Sequence, residues 1–209
     1  MSQTLVETPV SPTAQVFAVL RLAPAIDMTD DQFFALCQLN RDLRLERTAQ
    51  GDIIVMPPTG FETGNRNTSI TGQLYNWTKK DGAGVACDSS TGFKLPNGAD
   101  RSPDAAWVLR ERLVGFTPEQ KQKFLPLCPD FVIELRSPSD RLEDVQAKME
   151  EFIENGVRLG WLIDPQTRYV HVYRPSVAVQ IMEGVSEVSG DQELPGFFLD
   201  LREIWEANV

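Results

Sequence analysis

The spacing of hydrophobic residues along this chain changes several times, and each spacing predicts a secondary-structure element. A short helix is predicted after Thr29, because acidic residues fill its first turn and apolar residues follow. Polar and apolar residues alternate over 43–47 and an apolar run covers 53–56, which together predict a β-hairpin. Apolar residues recur at helical spacing over 62–80 and over 140–155, which predicts two amphipathic helices.

Short apolar runs between these helices predict β-strands. The strongest covers 131–135, where a near-continuous apolar run is typical of a central strand covered on both faces. The remaining predicted elements are strands at 85–88, 91–95, 105–109, 161–163 and 169–173, an edge strand at 177–182, and short helices at 118–124 and within 197–205. This order predicts an α/β (α+β) fold in which helices flank a mixed central sheet.

The chain length of 209 residues suits one domain with a proper core. Residues 1–24 are rich in Ser, Thr, Pro and Val, so we expect a flexible N-terminal arm there and a single domain over 25–209. No apolar run approaches the roughly 18 residues that span a bilayer. The N-terminus also lacks the basic region and apolar core of a secretory signal. We therefore expect a cytoplasmic protein without membrane association.

The net charge of −10 argues against a broad basic face that binds nucleic acid non-specifically. It leaves open a metal-dependent enzyme acting on phosphodiesters, since divalent cations can supply the positive charge. Cys37, Cys87 and Cys128 are widely spaced and form no CxxC pair, and His171 is the single histidine. A zinc site is therefore not expected, and the cysteines are interpreted as small core residues.

Two acidic residues stand at unusual positions in the predicted strands. Asp104 follows Pro103 and opens an apolar strand, and Glu134 lies within the apolar run 131–135. A carboxylate in a buried strand is costly unless something compensates its charge. A divalent cation could do so, and so could a buried basic partner. Glu134 could also face water on a half-covered strand, and spacing alone favours the cation no more than these two alternatives together.

Lys148 lies on the flank of the predicted 140–155 helix. It is rotated about 85° from the centre of the apolar stripe marked by Val145 and Met149, given 100° per residue. A lysine stem there can lie along apolar surface and carry its ammonium group to the end of the sheet. At that place it could activate a water or stabilise charge on a phosphate. The alternative is a lysine that merely covers the boundary of the core.

The 62–80 helix turns polar at its N-terminal end. Its apolar face, extended backwards, meets Thr63, Arg66 and Asn67, with Glu62 on the flank. Inward-pointing polar groups need partners or a cavity, and a helix N-terminus favours anions such as phosphate. The alternative is that this end of the helix overhangs the core and is solvated.

Several sequence blocks taken together resemble the Uma2 family, part of the PD-(D/E)xK restriction-endonuclease-like superfamily. The blocks are ETGNRN at 62–67, SPDAAWV at 102–108, PDFVIELRSPSD at 129–140, Lys148, and GWLIDP at 160–165. The resemblance covers about residues 25–205. It implies a restriction-endonuclease-like fold with a mixed central sheet and flanking helices.

The resemblance also implies roles for individual residues. Asp104 matches the acid of the PD element and Glu134 matches the (D/E), so these two would bind Mg²⁺ or Mn²⁺. Glu62 lies where the superfamily often has a helical acid that assists metal binding. The lysine expected two residues after Glu134 is replaced by Arg136, which is a poor base because it hardly ever deprotonates. Lys148 matches the position to which the family has moved its lysine.

Three functions are compatible with these residues. The first is a Mg²⁺-dependent endonuclease that hydrolyses phosphodiester bonds of DNA, with Arg66, Asn67 and Arg136 binding the substrate. The second is a catalytically inactive nuclease-fold interaction module, suggested by the net charge of −10 and by Arg136. The third is a small-molecule phosphoesterase or nucleotide-processing enzyme. Family analogy further implies a homodimer, which would bring two sites to one duplex.

Overall fold

A six-stranded mixed sheet forms the centre of the computed structural model, which describes residues 18–206. The strands are β1 (Ala18–Leu20), β2 (Arg44–Arg47), β3 (Ile53–Met56), β4 (Gly84–Asp88), β5 (Phe93–Lys94), β6 (Asp100–Arg101), β7 (Ala105–Leu109), β8 (Phe131–Leu135), β9 (Leu159–Asp164), β10 (Tyr169–Tyr173), β11 (Gln180–Glu183), β12 (Glu187–Ser189) and β13 (Phe198–Asp200). The helices are α1 (Asp30–Leu39), α2 (Phe61–Asp81), α3 (Leu142–Glu154) and α4 (Arg202–Trp205).

The central sheet has the strand order β11-β10-β9-β8-β7-β4. Strands β8 and β9 run parallel, and the other neighbours are antiparallel. All five residues of β8 are buried, as the apolar run 131–135 predicts for a strand covered on both faces. Because β8 is so placed, the charged side chain of Glu134 begins in the interior of the protein.

The two long helices cover opposite faces of this sheet. On one face, Ile70 and Leu74 of α2 pack with Phe131 and Trp161, and the rings of Trp161 and Phe197 stack with centroids 5.7 Å apart. The other face carries a second core, whose members from the helix and the sheet are Met149 and Phe152 of α3 with Val132 and Leu162. Alternation along β8 therefore sends odd-numbered side chains towards α2 and even-numbered ones towards α3.

A second sheet lies beside the first, with the strand order β1-β3-β2-β6-β5. Strand β2 is internal in this sheet because it pairs with β3 on one side and β6 on the other. The chain then passes from β6 to β7 through the link 102–104, so this link joins the two sheets. Asp104 is the last residue of the link and lies where the sheets meet.

The structure confirms the mixed sheet with flanking helices, the hairpin, and the helices predicted at 62–80 and 140–155. The strand predicted at 177–182 is the edge strand β11. The helix expected at 118–124 is only a 3₁₀ turn at Gln120–Gln122. Strands β1, β6, β12 and β13 were not predicted, because they are two or three residues long and carry no periodic signal.

The predicted flexible arm, residues 1–24, falls largely outside the described part of the chain, since residues 1–17 are not described. Residues 18–24 of the predicted arm are described, and they include β1, which pairs antiparallel with β3. Within residues 18–206, the helices are all too short or too polar to cross a membrane.

Candidate active site

A cleft of about 920 Å³ opens where the two sheets meet. The loops at 57–60 and 137–141 border it, and charged side chains from both sheets and from α3 line it. Three acidic and three basic residues form what we call the charge cluster. Its members are Arg44, Glu46, Arg101, Asp104, Glu134 and Lys148. All six line the same cleft although they lie far apart in the sequence.

Asp104 is held in one orientation by groups from three elements. Its Oδ2 accepts a hydrogen bond from the backbone N–H of Leu135 at 2.9 Å, which ties the link 102–104 to the end of β8. Its Oδ1 accepts from Nη1 of Arg44 at 3.2 Å and from Nδ2 of Asn67 at 3.4 Å. Asp104 is 7% exposed, so these contacts hold a largely buried carboxylate.

Glu134 and Lys148 form a buried ion pair on the α3 face of the central sheet. Glu134 points there because its neighbours Ile133 and Leu135 point towards α2. Nζ of Lys148 lies 2.8 Å from Oε1 of Glu134. Burial, with Asp104 nearby, nevertheless raises the pKa of Glu134 to about 7, against the opposing effect of Lys148.

Glu46 is a third buried carboxylate of the cluster, which the sequence interpretation missed. It lies on β2, is 2% exposed, and accepts hydrogen bonds from Nζ of Lys148 at 2.9 Å and from the backbone N–H of Ser102 at 3.0 Å. Nη1 of Arg101 donates a further bond at 3.1 Å. Burial alone would raise the pKa of Glu46, but Lys148 and Arg101 outweigh it and lower the pKa to about 2.

These contacts fix the charge state of Lys148. Burial alone would lower the pKa of its ammonium group, but Glu134 and Glu46 outweigh burial and raise that pKa. Lys148 is therefore a cation at neutral pH and has no lone pair with which to accept a proton. Of the two chemical roles that its sequence position allowed, the geometry favours charge stabilisation over activation of water.

Unpartnered polar atoms concentrate at this cleft. Six buried side-chain polar atoms in residues 18–206 lack a hydrogen-bond partner, and three of them belong to cleft residues: Nε of Arg44, Oδ1 of Asn67 and Oε1 of Glu134. Oε1 of Glu134 contacts Lys148 without a hydrogen bond of good geometry. Buried polar groups are normally satisfied, so these two oxygens have acceptor capacity that a bound group could use.

The available donors suit a hard divalent cation. Asp104 and Glu134 offer carboxylate oxygens and Asn67 offers an amide oxygen, the ligand types that Mg²⁺ and Mn²⁺ prefer. Within residues 18–206, however, no group of three or more His, Cys, Asp or Glu side chains could hold a metal ion. A cation here would rely on two carboxylates completed by amide, water and substrate oxygens, as Mg²⁺ often does.

Glu62 and Arg66 lie apart from the charge cluster. Glu62 is exposed at the mouth of the cleft, where its Oε2 accepts a bond from Nη1 of Arg66 at 3.2 Å. Nε of Arg66 donates to the carbonyl of Ile204 at 2.8 Å, which fastens α2 to α4. The structure thus brings Asn67 of this helix end to Asp104, engages Arg66 outside the cleft, and leaves Glu62 at the rim.

Arg136 also lies away from the cleft, although it follows Glu134 by two residues. Its Nη1 donates to Oδ2 of Asp164 at 2.7 Å, and its Nε donates to the carbonyl of Asp140 at 3.2 Å. Asp164 is fully buried at the end of the neighbouring strand β9. Arg136 therefore compensates a buried carboxylate, and Lys148 is the cation that faces Glu134.

Comparisons with known proteins concern the family of this chain and its fold. The family model Uma2, described as "Putative restriction endonuclease", matches residues 30–202. Among solved structures, a protein of Anabaena variabilis titled a putative nuclease belonging to DUF820 superposes with a TM-score of 0.68 at 19% identity. That similarity covers 86% of this chain and 98% of the other, and shows a shared fold. Among curated proteins, none is significantly similar to this chain.

Proposed function

Because this chain belongs to the Uma2 family, we propose that it is a metal-dependent endonuclease that hydrolyses phosphodiester bonds of DNA in the cleft of the charge cluster. The observation that supports the proposal most strongly is the arrangement of Asp104, Glu134 and Lys148 on one cleft floor, with unsatisfied oxygens beside them. Structural ion networks seldom leave buried acceptors unused, whereas a site for a cation and a phosphate needs them.

Asp104, Glu134 and the amide oxygen of Asn67 would hold Mg²⁺ or Mn²⁺ in this proposal. When bound, such a cation polarises a phosphate oxygen and lowers the pKa of coordinated water. The chain's own contribution is to keep Asp104 oriented through the backbone N–H of Leu135 and to exclude bulk water from the floor. Because Glu62 lies at the rim, it would face the substrate there and would not bind the cation together with Asp104 and Glu134.

Lys148 would stabilise the negative charge that grows on the phosphate during hydrolysis. It is suited to this because it is a largely buried cation beside Glu134 whose pKa is raised, and preorganised charges in a water-poor site are worth far more than in water. Glu46 would position Lys148, since its carboxylate holds the ammonium group from the second sheet. Lys148 would not accept a proton, because its raised pKa keeps it protonated at neutral pH.

Substrate class can be tested by incubating the protein with Mg²⁺ and supercoiled plasmid, RNA oligomers or mononucleotides side by side. We expect nicking of the plasmid, loss of nicking when EDTA removes the metal, and recovery when Mn²⁺ is added, because the site oxygens suit both cations. Gel electrophoresis measures the products. Turnover of mononucleotides without plasmid cleavage would instead support a nucleotide-processing enzyme, and no turnover with any substrate would support an interaction module.

Metal binding should release a proton below neutral pH. The pKa of Glu134 is raised to about 7 by burial, so a fraction of the metal-free protein carries a proton there that a cation must displace. The apparent affinity for Mn²⁺ should therefore rise as the pH increases towards 7 and level off above it. Calorimetric titration in two buffers of different ionisation enthalpy measures the proton release. Glu134→Gln should abolish it, and an unchanged release in that variant would contradict the assignment.

A further inference from the structure

A second cleft, of about 750 Å³, continues from the first. The two share Arg44, Thr59 and Asn67 in their walls, so they meet beside Asp104. We call the second one the side cleft. One wall is a face of α2, and the other is β4 with the turn after it. The α2 wall contains Gly64, Thr68, Thr71, Gly72 and Tyr75. The β4 wall contains Ala86, Cys87, Asp88, Ser89 and Thr91.

The α2 wall of the side cleft is low and open. Gly64 and Gly72 lie eight residues apart, and a Cβ built on either would meet no atom within 4 Å. Thr68, midway between them, is exposed. The helix backbone can thus be approached closely along this face. From Asn67 to Tyr75 the wall spans about 12 Å, given a rise of 1.5 Å per residue.

One acidic residue lines the side cleft, in a chain of net charge −10. This residue, Asp88, is exposed, and its Oδ1 accepts bonds from the backbone N–H and the Oγ of Ser90 at 3.0 and 2.6 Å. Hydroxyl groups dominate the rest of the lining. Arg44 stands at the junction with the first cleft, where its Nη1 donates to Asp104, its Nη2 donates to the carbonyl of Ser102, and its buried Nε has no partner.

An exposed aromatic ring marks the far end of the side cleft. Tyr75 is 53% exposed, and Nζ of Lys79 lies 6.0 Å from the centre of its ring. Lys79 is followed by Lys80 at the end of α2. Exposed aromatic rings with cations beside them are the surfaces on which unpaired bases stack and phosphates pair.

We propose that the side cleft binds the nucleic-acid strand that flanks the scissile phosphodiester, with Arg44 contacting a phosphate at the junction and Tyr75 stacking on a base at the far end. The proposal rests on the proposed function, because it takes the first cleft as the place of hydrolysis. It assigns the α2 face a single occupant, one polynucleotide strand. The continuity of the two clefts at Asp104 and the exposed ring of Tyr75 beside Lys79 support that occupant.

Gly72→Leu tests the proposal because it fills the side cleft without disturbing the core. Nothing lies within 4 Å of the added Cβ, and leucine favours a helix more than glycine does, so the melting temperature should stay the same or rise. Binding of a short fluorescein-labelled DNA duplex with a single-stranded extension, measured by anisotropy in Ca²⁺, should weaken about tenfold, as expected for loss of one stacked base. Tyr75→Ala should weaken it similarly.

Asn76→Leu is the matched control, because Asn76 is an exposed residue of the same helix that lines neither cleft. It should leave DNA affinity unchanged, and all three variants should keep the Mn²⁺ affinity of the unmodified protein. Equal DNA affinity in Gly72→Leu and Asn76→Leu would overturn the proposal, as would failure of the unmodified protein to bind DNA. DNA binding that depends on Gly72 in a protein that cleaves nothing would retain the side cleft as a binding track and reject the nuclease activity alone.

Discussion

Asp104→Asn should lower Mg²⁺-dependent plasmid cleavage at least about a thousandfold, since a metal ligand supplies several kcal/mol of transition-state stabilisation. Asparagine has the same shape and can still accept the bond from the backbone N–H of Leu135. It lacks the charge and the second carboxylate oxygen, Oδ1, that faces Arg44 and the cleft. The variant therefore removes one proposed ligand with little change in packing, and initial nicking rates measure the loss.

Asp100→Asn is the control for this experiment. Asp100 is also a buried carboxylate paired with an arginine, since its Oδ2 lies 2.6 Å from Nη2 of Arg47, but it lies outside both clefts. Removing its charge should lower the melting temperature and leave nicking by the folded protein unchanged. If Asp104→Asn and Asp100→Asn cleave equally well, Asp104 is not a metal ligand and the proposed site is wrong.

Glu46→Gln should reduce the turnover number about a hundredfold while the Michaelis constant changes little. Glutamine keeps the length of the side chain and one acceptor for the backbone N–H of Ser102, but it loses the charge that holds Lys148. The ammonium group would then be held by Glu134 alone and would move from its position under the phosphate. Misplacement of a catalytic group by about 1 Å can cost a hundredfold in rate.

A role for Glu46 in general stability alone would give a different pattern. Glu46→Asp keeps the charge and should recover part of the turnover, whereas a purely structural residue would be restored no better by Asp than by Gln. The unfolding free energies of Glu46→Gln, Lys148→Met and the double variant should also be strongly non-additive, because the two side chains are in direct contact. Additive values would contradict the contact, whether or not the protein is a nuclease.

The helices and the central strand were predictable because each depends on a local period. Ile70, Leu74 and Trp77 mark α2 over several turns, and the apolar run of β8 is interrupted only by Glu134. The same interruption identified Glu134 as a candidate site residue, and Glu134 lines the cleft. A strong local pattern thus predicted the strand and also the acidic residue that breaks the pattern.

Glu46 could not be found in this way because its environment is set by a distant partner. The alternation over 43–47 reads as one apolar face and one solvated face, on which Glu46 would be an ordinary surface residue. In the structure, Arg101 of the two-residue strand β6 and Lys148 of α3 both contact Glu46 and cover its side chain. Burial of Glu46 follows from these distant contacts rather than from anything near it in the sequence.

Arg136 shows a second limit of sequence reasoning. Arg136 follows Glu134 by only two residues, but its hydrogen-bond partner Asp164 comes from the parallel neighbour β9, 28 residues further along the chain. Which of two nearby acids a cation will satisfy depends on the register of β8 and β9. The sequence already favoured Lys148 over Arg136, but the acid that each cation contacts became evident only once both strands and α3 were placed.

Because the cleft lies at the junction of two sheets, it forms only after both sheets have folded and packed together. Its carboxylates occur along the chain in the order Glu46, Asp104 and Glu134, and Lys148 follows on α3. A nascent or partly unfolded chain holds these groups on separate elements, so it cannot present them together. If the cleft hydrolyses phosphodiesters, only fully folded molecules can do so. Incomplete chains would then have no nuclease activity in the cell.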